Sequence, residues 1–215
     1  MTGSTTVAAF DLDGTLTTRD SVVPFMCAAR GPAALGARLA VRGHRLVVPL
    51  ARRDRDGVKA VATGAAFAGL AEDDLLATGR SFAERVAEAR SRADTAARLA
   101  WHRDAGHRVV IVSASYEVYL RRLGELLGAH AVLGTRLEVV EHRCTGHLRG
   151  PNCRGPEKVR RLHQWLDEHH GGRAAVELWA YGDSPGDREL LADADHAVWA
   201  DGVLPRVPGR DRSDP

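Results

Sequence analysis

Short, mostly hydrophobic runs recur along the chain, and several of them stop at polar residues. Their small, β-branched and aromatic composition is typical of strands that are buried on both faces. Helical patterns separate most of the runs, which indicates helices packed on a parallel sheet. We therefore expect an α/β fold with a Rossmann-like, mostly parallel sheet core flanked by helices. The predicted strands are residues 7–10, 108–112, 131–133, 136–140, 176–181 and 196–199.

The chain between the first and second predicted strands contains no convincing strand and has helical spacing throughout. This pattern predicts a helical-bundle cap at residues 18–90, inserted into a catalytic core. The core then consists of residues 1–17 and 91–215. From about residue 204 the chain is rich in Pro, Arg and Asp, and we expect that tail to fray.

Within the predicted cap, apolar residues fall at helical spacing. Ser21 is placed to cap a helix over residues 22–29. Residues 52–57 are polar and turn-like, and Lys59 begins the next short helix. Two stripes mark the remaining cap helices: Leu35, Leu39, Leu46 and Leu50 in one, and Leu75, Gly79, Phe82 and Val86 in the other.

Arginines accompany the first of these stripes. Arg38, Arg42 and Arg45 lie largely off the apolar positions. A helix packed into the cap with a charged outer face explains this pattern, and we favour that interpretation. The alternative is a basic amphipathic surface that contacts lipid headgroups.

The core pattern also predicts helices over residues 93–105, after Ser115, and from Pro156 onwards. Residues 136–140 fit one arm of a hairpin, which we expect to turn near Thr145 and Gly146.

Composition excludes several classes of protein. The 215 residues carry a formal net charge of only +2 and no RNA-binding or zinc-finger motif, so we expect no nucleic-acid partner. No signal peptide is visible, and no apolar run approaches the roughly 18 residues that span a bilayer. Three widely spaced cysteines argue against a disulfide framework. We expect a cytoplasmic protein, with peripheral membrane contact left open; the sequence does not indicate an oligomeric state.

Polar side chains follow three of the predicted strands and lie early in one predicted helix. Clustered carboxylates repel one another unless a cation joins them, and hard oxygen ligands favour Mg²⁺. A lysine, a serine and free backbone N–H groups suit a phosphate. Together these groups indicate phosphoryl transfer. They are Asp11 and Asp13 after the first strand, Ser113 after the second, Lys158 near Pro156, and Asp183 with Asp187 after residues 176–181.

Three of these features also have a purely structural interpretation. Residues 11–15 contain the turn formers Asp, Gly and Thr and could be an acidic turn. Ser113 could cap a helix, and Lys158 could be a surface charge. The order of the whole set favours chemistry over these alternatives.

The ordered set resembles the four motifs of the haloacid dehalogenase superfamily of phosphohydrolases. Phe10-Asp11-Leu12-Asp13-Gly14-Thr15 is similar to motif I, Ser113 to motif II, Lys158 to motif III, and Gly182-Asp183-x-x-x-Asp187 to motif IV. The helical insertion between motifs I and II resembles the cap of subfamily IB, the phosphoserine phosphatase-like branch.

This resemblance implies roles for the acidic residues. Asp11 would attack phosphorus and form an aspartyl phosphate, and Asp13 would protonate the leaving oxygen and then activate water. The presence of Asp13 favours ester hydrolysis over dehalogenation. Mg²⁺ would be held by Asp11, the Asp13 carbonyl and Asp183, with Asp187 supporting the metal shell.

The resemblance also implies a phosphate site. Ser113, Lys158 and Thr15 would bind the phosphoryl oxygens and offset the charge that grows in the transition state.

The substrate is less defined, because this sequence departs from phosphoserine phosphatases at three positions. Asp20 replaces a Glu, Gly186 replaces an Asn within motif IV, and Ser113-Ala114-Ser115 replaces Ser-Gly-Gly. Asp20, Arg55 and Lys59 are the candidates for substrate specificity in the cap.

The sequence predicts a Mg²⁺-dependent phosphatase of a small phosphorylated metabolite, with phosphoserine-like compounds among the candidates. A lipid phosphate, of the phosphatidylglycerol phosphate or lysophospholipid type, is an alternative substrate. A phosphotransferase or mutase would share the aspartyl phosphate but pass it to an acceptor other than water. A non-enzymatic binding module is the least favoured alternative, since it would not need the catalytic residue types.

Overall fold

The computed structural model describes residues 5–202 and 204. The tail that was expected to fray therefore lies, apart from Leu204, outside the described residues. The strands are β1 (Thr5–Phe10), β2 (Arg108–Tyr116), β3 (Ala131–Thr135), β4 (Leu137–Val140), β5 (Arg143–Leu148), β6 (Val176–Gly182) and β7 (His196–Trp199). The helices are α1 (Val22–Arg30), α2 (Pro32–Arg42), α3 (Val47–Ala51), α4 (Arg55–Phe67), α5 (Glu72–Arg90), α6 (Ala93–Asp104), α7 (Glu117–Leu127), α8 (Pro156–His170) and α9 (Arg188–Asp193).

The core is a parallel sheet with the strand order β3-β2-β1-β6-β7. Strand β1 lies at its centre, where Phe10 is opposite Ile111 on β2 and Tyr181 on β6. The predicted α/β class with a mostly parallel sheet is confirmed.

Both faces of the sheet are covered, which explains why β1 is apolar at successive positions. Val7 and Ala9 pack with Leu162 of α8 and Leu190 of α9. Ala8 and Phe10 face the other way and pack with residues of α6 and α7, including Leu99, Leu120 and Leu123.

Helices α1 to α5 are inserted between β1 and β2, and we call them the cap. The predicted stripe on α5 is buried at Leu75, Phe82 and Val86. Phe25 of α1 packs against Phe82, with ring centroids 5.3 Å apart. That residues 18–90 form a separate domain with these boundaries stays a prediction.

The predicted helix with Leu35, Leu39, Leu46 and Leu50 on one stripe is wrong as a single element. Helix α2 ends at Arg42, a 3₁₀ turn covers residues 43–46, and α3 follows. Leu35 is buried, whereas Leu50 is 60 % exposed. Gly43 lies at the break, where its low helix propensity favours an end to α2.

One predicted helix start and one predicted capping residue in the cap are wrong. Helix α4 begins at Arg55 rather than near Lys59, because the Asp54 side chain accepts a hydrogen bond from the Gly57 N–H at 2.9 Å and caps the helix there. Ser21 makes no side-chain cap bond to α1.

The hairpin of β4 and β5 forms, but its predicted turn near Thr145 and Gly146 is wrong. The chain turns at Glu141 and His142, which have φ values of 47° and 60°. Gly146 lies inside β5, where a Cβ would stand 2.7 Å from the Cβ of Ala68. The glycine therefore permits close packing of the hairpin against the cap.

Within residues 5–202 and 204, no helix combines the length and the hydrophobicity needed to cross a membrane. The cytoplasmic location stays a prediction.

Candidate active site

Two of the predicted site carboxylates follow the ends of neighbouring strands. Asp11 comes directly after β1, and Asp183 comes directly after β6. The Asp11 N–H donates a hydrogen bond to the Tyr181 carbonyl at 2.9 Å, which extends the pairing of the two strands to this point. Because the strands are parallel, their carboxyl ends meet at one edge of the sheet.

Lys158 bridges two carboxylates at this edge. Its Nζ donates to Oδ1 of Asp11 and to Oδ1 of Asp187, both at 2.5 Å. Its side chain is 2 % exposed, so the alternative that Lys158 is a surface charge is wrong. Burial by itself lowers the pKa of Lys158, but the two carboxylates outweigh burial and raise it. Lys158 therefore remains an ammonium ion.

Negative charge exceeds positive charge around this lysine. Burial raises the pKa of Asp11 to about 7, the ammonium of Lys158 opposes the rise, and the carboxylate of Asp187 adds to it. Burial also raises the pKa of Asp183. A further cation at this edge would stabilise the ionised carboxylates.

Three carboxylates converge closely enough to share such a cation. One oxygen each from Asp11, Asp183 and Asp187 lies within 4.8 Å of the others. Among the described residues, this is the cluster of His, Cys, Asp or Glu side chains that is close enough to hold a metal ion. A set of carboxylate oxygens fits a hard divalent cation such as Mg²⁺.

Motif I places two residues against Asp183. Thr15 Oγ1 donates to Asp183 Oδ1 at 2.9 Å, so the observed contact of Thr15 is with a carboxylate rather than with the predicted phosphate position. Gly14 has a φ of 89°, and a Cβ there would stand 2.2 Å from Asp183 Oδ2. A side chain at this position would therefore displace the Asp183 carboxylate.

Asp187 is fixed by its own turn. Its Oδ2 accepts hydrogen bonds from Ser184 Oγ at 2.7 Å and from the Ser184 N–H at 3.0 Å. Its Oδ1 is thereby directed to Lys158.

The Asp13 carboxyl lies in a different network from the other three. Ser115 Oγ donates to Asp13 Oδ2 at 2.6 Å, and the Ser21 N–H donates to Oδ1 at 2.9 Å. The hydroxyl of Ser21 contacts Ser115 Oγ at 3.3 Å and Tyr119 Oη at 2.7 Å. Burial raises the pKa of Asp13, and the hydrogen bonds from Ser115 and Ser21 oppose this rise.

Sequence reasoning did not assign a role to Ser115, Ser21 or Tyr119 in this network. The spacing of Ser115 from Ser113 could have indicated that Ser115 lies near the site. Residues two apart in a strand share a face, and Ser115 stands two residues after Ser113 in β2. The contact with Tyr119 had no comparable signal.

Ser113 is inside β2 and 1 % exposed. Its hydroxyl accepts a hydrogen bond from the Ser115 N–H at 3.1 Å. Helix α7 begins only at Glu117, so the alternative that Ser113 caps a helix is wrong.

The three cap candidates are in different environments. Asp20 Oδ1 accepts hydrogen bonds from the N–H groups of Val22 and Val23 at 3.0 and 3.3 Å, so Asp20 rather than Ser21 caps α1. Arg55 is exposed at the first position of α4.

Lys59 reaches the core from the second turn of α4. Its Nζ donates to the Ala114 carbonyl, between Ser113 and Ser115, and to Asn152 Oδ1 at 2.6 Å. It also lies 3.3 Å from Thr135 Oγ1. Burial lowers the pKa of Lys59 to about 8. The structure thus brings Lys59, but not Arg55, into contact with the strand that carries Ser113.

Comparisons with known proteins identify the family of this chain. The family model of the haloacid dehalogenase-like hydrolases matches residues 8–192. Protein CicA of Caulobacter vibrioides is 35 % identical over 190 residues, which cover 88 % of this chain and 83 % of CicA.

Solved structures share the fold. A protein of unknown function from Bordetella pertussis Tohama I superposes with a TM-score of 0.77 at 24 % identity, covering 91 % of this chain and 90 % of its own. A phospho-aspartyl intermediate analogue of phosphoserine phosphatase superposes with a TM-score of 0.63 at 15 % identity, covering 91 % and 86 %. The resemblance inferred from the four motifs is confirmed, and this chain belongs to the haloacid dehalogenase-like hydrolases.

Proposed function

We propose that this protein is a Mg²⁺-dependent phosphatase that hydrolyses phosphomonoesters through an aspartyl phosphate on Asp11. The observation that carries the proposal is the buried lysine shared by two carboxylates. Lys158 contacts both Asp11 and Asp187, and Asp183 lies beside them. This is an arrangement of a carboxylate nucleophile, a fixed cation and a metal-binding edge, as phosphoryl transfer requires.

In the first step, an Asp11 oxygen forms a bond to phosphorus while the bond from phosphorus to the ester oxygen breaks. Asp13 gives its proton to that oxygen, and the alcohol leaves. Ser115 and Ser21 hold the Asp13 carboxyl by hydrogen bonds for this transfer.

In the second step, Asp13 takes a proton from water as the water oxygen bonds to phosphorus. The bond between phosphorus and Asp11 breaks, which releases inorganic phosphate and restores both carboxyl groups. Lys158 and Ser113 stabilise negative charge on the phosphoryl oxygens in both steps.

Asp11 and Asp183 would hold Mg²⁺ together with the Asp13 carbonyl, and Asp187 would support them through Lys158. When bound, the cation neutralises part of the phosphate charge. Thr15 then acts by orienting Asp183, in keeping with its hydrogen bond.

The substrate we propose is a small phosphorylated metabolite. The likeness to a phosphoserine phosphatase supports this class. The cap supplies Lys59 as the candidate for specificity that contacts the core, and Asp20 and Arg55 remain weaker candidates.

The nucleophile assignment is tested with an aryl phosphate and purified protein. Asp11→Asn should lower phosphate release by about a thousandfold or more and keep the circular dichroism spectrum of the wild type. Asp73→Asn, at an exposed position in the first turn of α5, is the matched control and should retain full activity. Turnover that persists in Asp11→Asn would disprove the assignment.

Removal of divalent cations tests the metal. Activity should disappear after chelation and return with Mg²⁺, and activity that survives chelation would contradict the Mg²⁺ proposal.

A panel of phosphorylated metabolites, including phosphoserine, a lysophospholipid and phosphatidylglycerol phosphate, separates the substrate classes. Release of free phosphate supports a phosphatase. Transfer of labelled phosphate to a sugar or lipid without release would favour the phosphotransferase or mutase alternative.

A further inference from the structure

One stretch of the cap has an unusual distribution of charge. Residues 21–53 contain no Asp or Glu, although acidic and basic residues are nearly balanced in the whole chain. The stretch is therefore a concentrated source of positive charge in a protein whose net charge is only +2. It carries six arginines, namely Arg30, Arg38, Arg42, Arg45, Arg52 and Arg53.

Two of these arginines stabilise the cap itself. Arg30 donates to the carbonyls of Ala66 and Ala68 at 2.7 Å, and Arg38 donates to the Ala65 carbonyl at 2.9 Å. They satisfy carbonyls at the C-terminal end of α4. Their positions are explained by the fold.

The side chains of the other four arginines make no hydrogen bond or ion pair within the part of the chain that the structure describes. Arg45, Arg52 and Arg53 are exposed, and Arg42 is half-buried. Arg42 and Arg45 line an open cleft of about 470 Å³, together with Ala37, Arg38, Val41 and His44. A cleft lined by three arginines suits a phosphate group.

Large apolar side chains are exposed in the same segment of the chain. Val41 is 78 % exposed, Val47 64 %, Val48 56 % and Leu50 60 %. These four lie within ten residues, whereas the other five exposed large hydrophobic residues in the described part of the chain are spread over 177 positions, from Val23 to Trp199. We call residues 41–53 the basic apolar face.

We propose that the basic apolar face docks the cap onto a lipid bilayer that contains anionic headgroups. Segments that lie in the interface of a membrane combine exposed apolar side chains with neighbouring basic residues. The valines and Leu50 would enter the region between headgroups and acyl chains, and the arginines would contact lipid phosphates. This inference does not depend on the proposed function.

Charge complementarity favours a bilayer over the other occupants of such a face. In a symmetric dimer a surface pairs with itself, so a second copy would oppose arginines with arginines. Nucleic acid would neutralise the arginines but would gain little from four exposed aliphatic side chains. An anionic bilayer satisfies both the charge and the apolar area.

The basic apolar face is connected to the site by helix α4. The Asp54 N–H, at the start of α4, donates to the Pro49 carbonyl of α3 at 2.8 Å. One turn further along, Lys59 contacts the Ala114 carbonyl beside Ser113. A docked cap would thus place at the membrane a segment that adjoins the helix carrying Lys59.

The test is sedimentation of the full chain with vesicles. Vesicles of phosphatidylglycerol mixed with phosphatidylcholine should bind the protein, pure phosphatidylcholine should bind it weakly, and added salt should release it. Arg45→Gln with Arg52→Gln should lower the partition coefficient roughly 25-fold, since each arginine near the surface contributes about a fivefold factor.

Two further variants isolate the face. Val47→Ser with Val48→Ser should also lose binding, and because these side chains are 64 % and 56 % exposed we expect the fold to be retained. Arg80→Gln with Arg108→Gln removes the same charge from exposed positions elsewhere and should bind as the wild type. All variants should hydrolyse a soluble aryl phosphate at the wild-type rate.

Several results would overturn the proposal. They are absence of binding to phosphatidylglycerol vesicles at low salt, equal losses in the face and control variants, and preferential binding to a DNA duplex. A dimer that dissociates in Val47→Ser with Val48→Ser would also overturn it, and would assign the face to a second copy.

Discussion

Ser115 donates a hydrogen bond to Oδ2 of Asp13 at 2.6 Å, across 102 positions of the chain. The Ser21 N–H holds the other oxygen from the start of the cap, at 2.9 Å. The candidate acid and base is therefore oriented from the core on one side and from the cap on the other. A short hydrogen bond to a carboxylate is among the stronger kinds in proteins.

Ser115→Ala should lower kcat for an aryl phosphate by about tenfold, since it removes the shortest of the three hydrogen bonds that orient the Asp13 carboxyl. KM should change little, because the Ser115 hydroxyl donates to Asp13 and is expected to act through it. Steady-state kinetics of the purified variant measures both.

A double-mutant cycle separates this role from a general loss of structure. In an Asp13→Asn background, Ser115→Ala should have little further effect on the rate. If the two losses multiply in full, Ser115 does not act through Asp13.

Gly14→Ala should raise the Mg²⁺ concentration for half-maximal activity by at least about tenfold. The added Cβ would stand 2.2 Å from Asp183 Oδ2 and move that carboxylate, and the positive φ adds about 1–2 kcal/mol of strain. A Mg²⁺ titration of activity measures the shift.

Gly36→Ala is its matched control. It lies in α2 with nothing within 4 Å of the added Cβ, so it should keep the Mg²⁺ dependence and stabilise the helix by up to about 1 kcal/mol. An unchanged Mg²⁺ dependence in Gly14→Ala would contradict the role given to Asp183.

Lys59→Met should lower the free energy of unfolding by about 1–3 kcal/mol. Lys59 donates hydrogen bonds to the carbonyl of Ala114 and to Oδ1 of Asn152. The other donor that contacts both acceptors is the Thr135 hydroxyl, which has a single proton and can satisfy only one of them at a time. Without the lysine, one of these two acceptors is left unsatisfied. Denaturant unfolding followed by circular dichroism gives the free energy.

Arg55→Met, one turn earlier on the same helix, is the control and should change stability by less than about 0.5 kcal/mol. Equal stability of Lys59→Met and the wild type would contradict the contact between cap and core. A change in substrate preference with unchanged stability would instead favour the specificity role.

His102 should make stability depend on pH. Its Nε2 is 2.8 Å from Tyr181 Oη and its Nδ1 is 2.8 Å from His107 Nδ1. Burial, with a smaller effect of His107, lowers the pKa of His102 to about 3 from 6.5. Below pH 6.5 the unfolded chain binds a proton that the folded chain does not, so stability is fully present above pH 6.5 and falls as the pH drops towards 3.

His102→Gln should flatten this slope in unfolding experiments between pH 6.5 and 3. His147→Gln, at an exposed position, is the control. If stability depends on pH equally in His102→Gln and in the wild type, His102 does not stay neutral in the folded protein over this pH range.

Local pattern was sufficient to find most of the core elements. The apolar runs before Asp11, Ser113 and Asp183 mark β1, β2 and β6, because a strand buried on both faces needs apolar residues at successive positions. The cap was harder to divide. Its leucine spacing continues through Gly43, where the chain leaves helix α2.

The hairpin of β4 and β5 also shows that local propensity does not fix the position of every turn. Thr145 and Gly146 have turn propensity, yet both lie in β5, where Ala68 packs so closely that a Cβ at residue 146 would stand 2.7 Å from its Cβ. Contacts between distant segments decided this position, and turn propensity does not contain them.

For the candidate site, the sequence by itself determined the residue types, their order and the strand ends that Asp11 and Asp183 follow, whereas Ser113 was expected after β2 and lies inside it. These are local properties, and the order of Asp11, Ser113, Lys158 and Asp183 indicated the family. The tertiary structure decided which groups contact one another. It joins Lys158 to both Asp11 and Asp187, Ser115 to Asp13, and Lys59 to Ala114. These pairs are between 29 and 147 positions apart, so they form only when the packing of sheet and helices brings distant segments together.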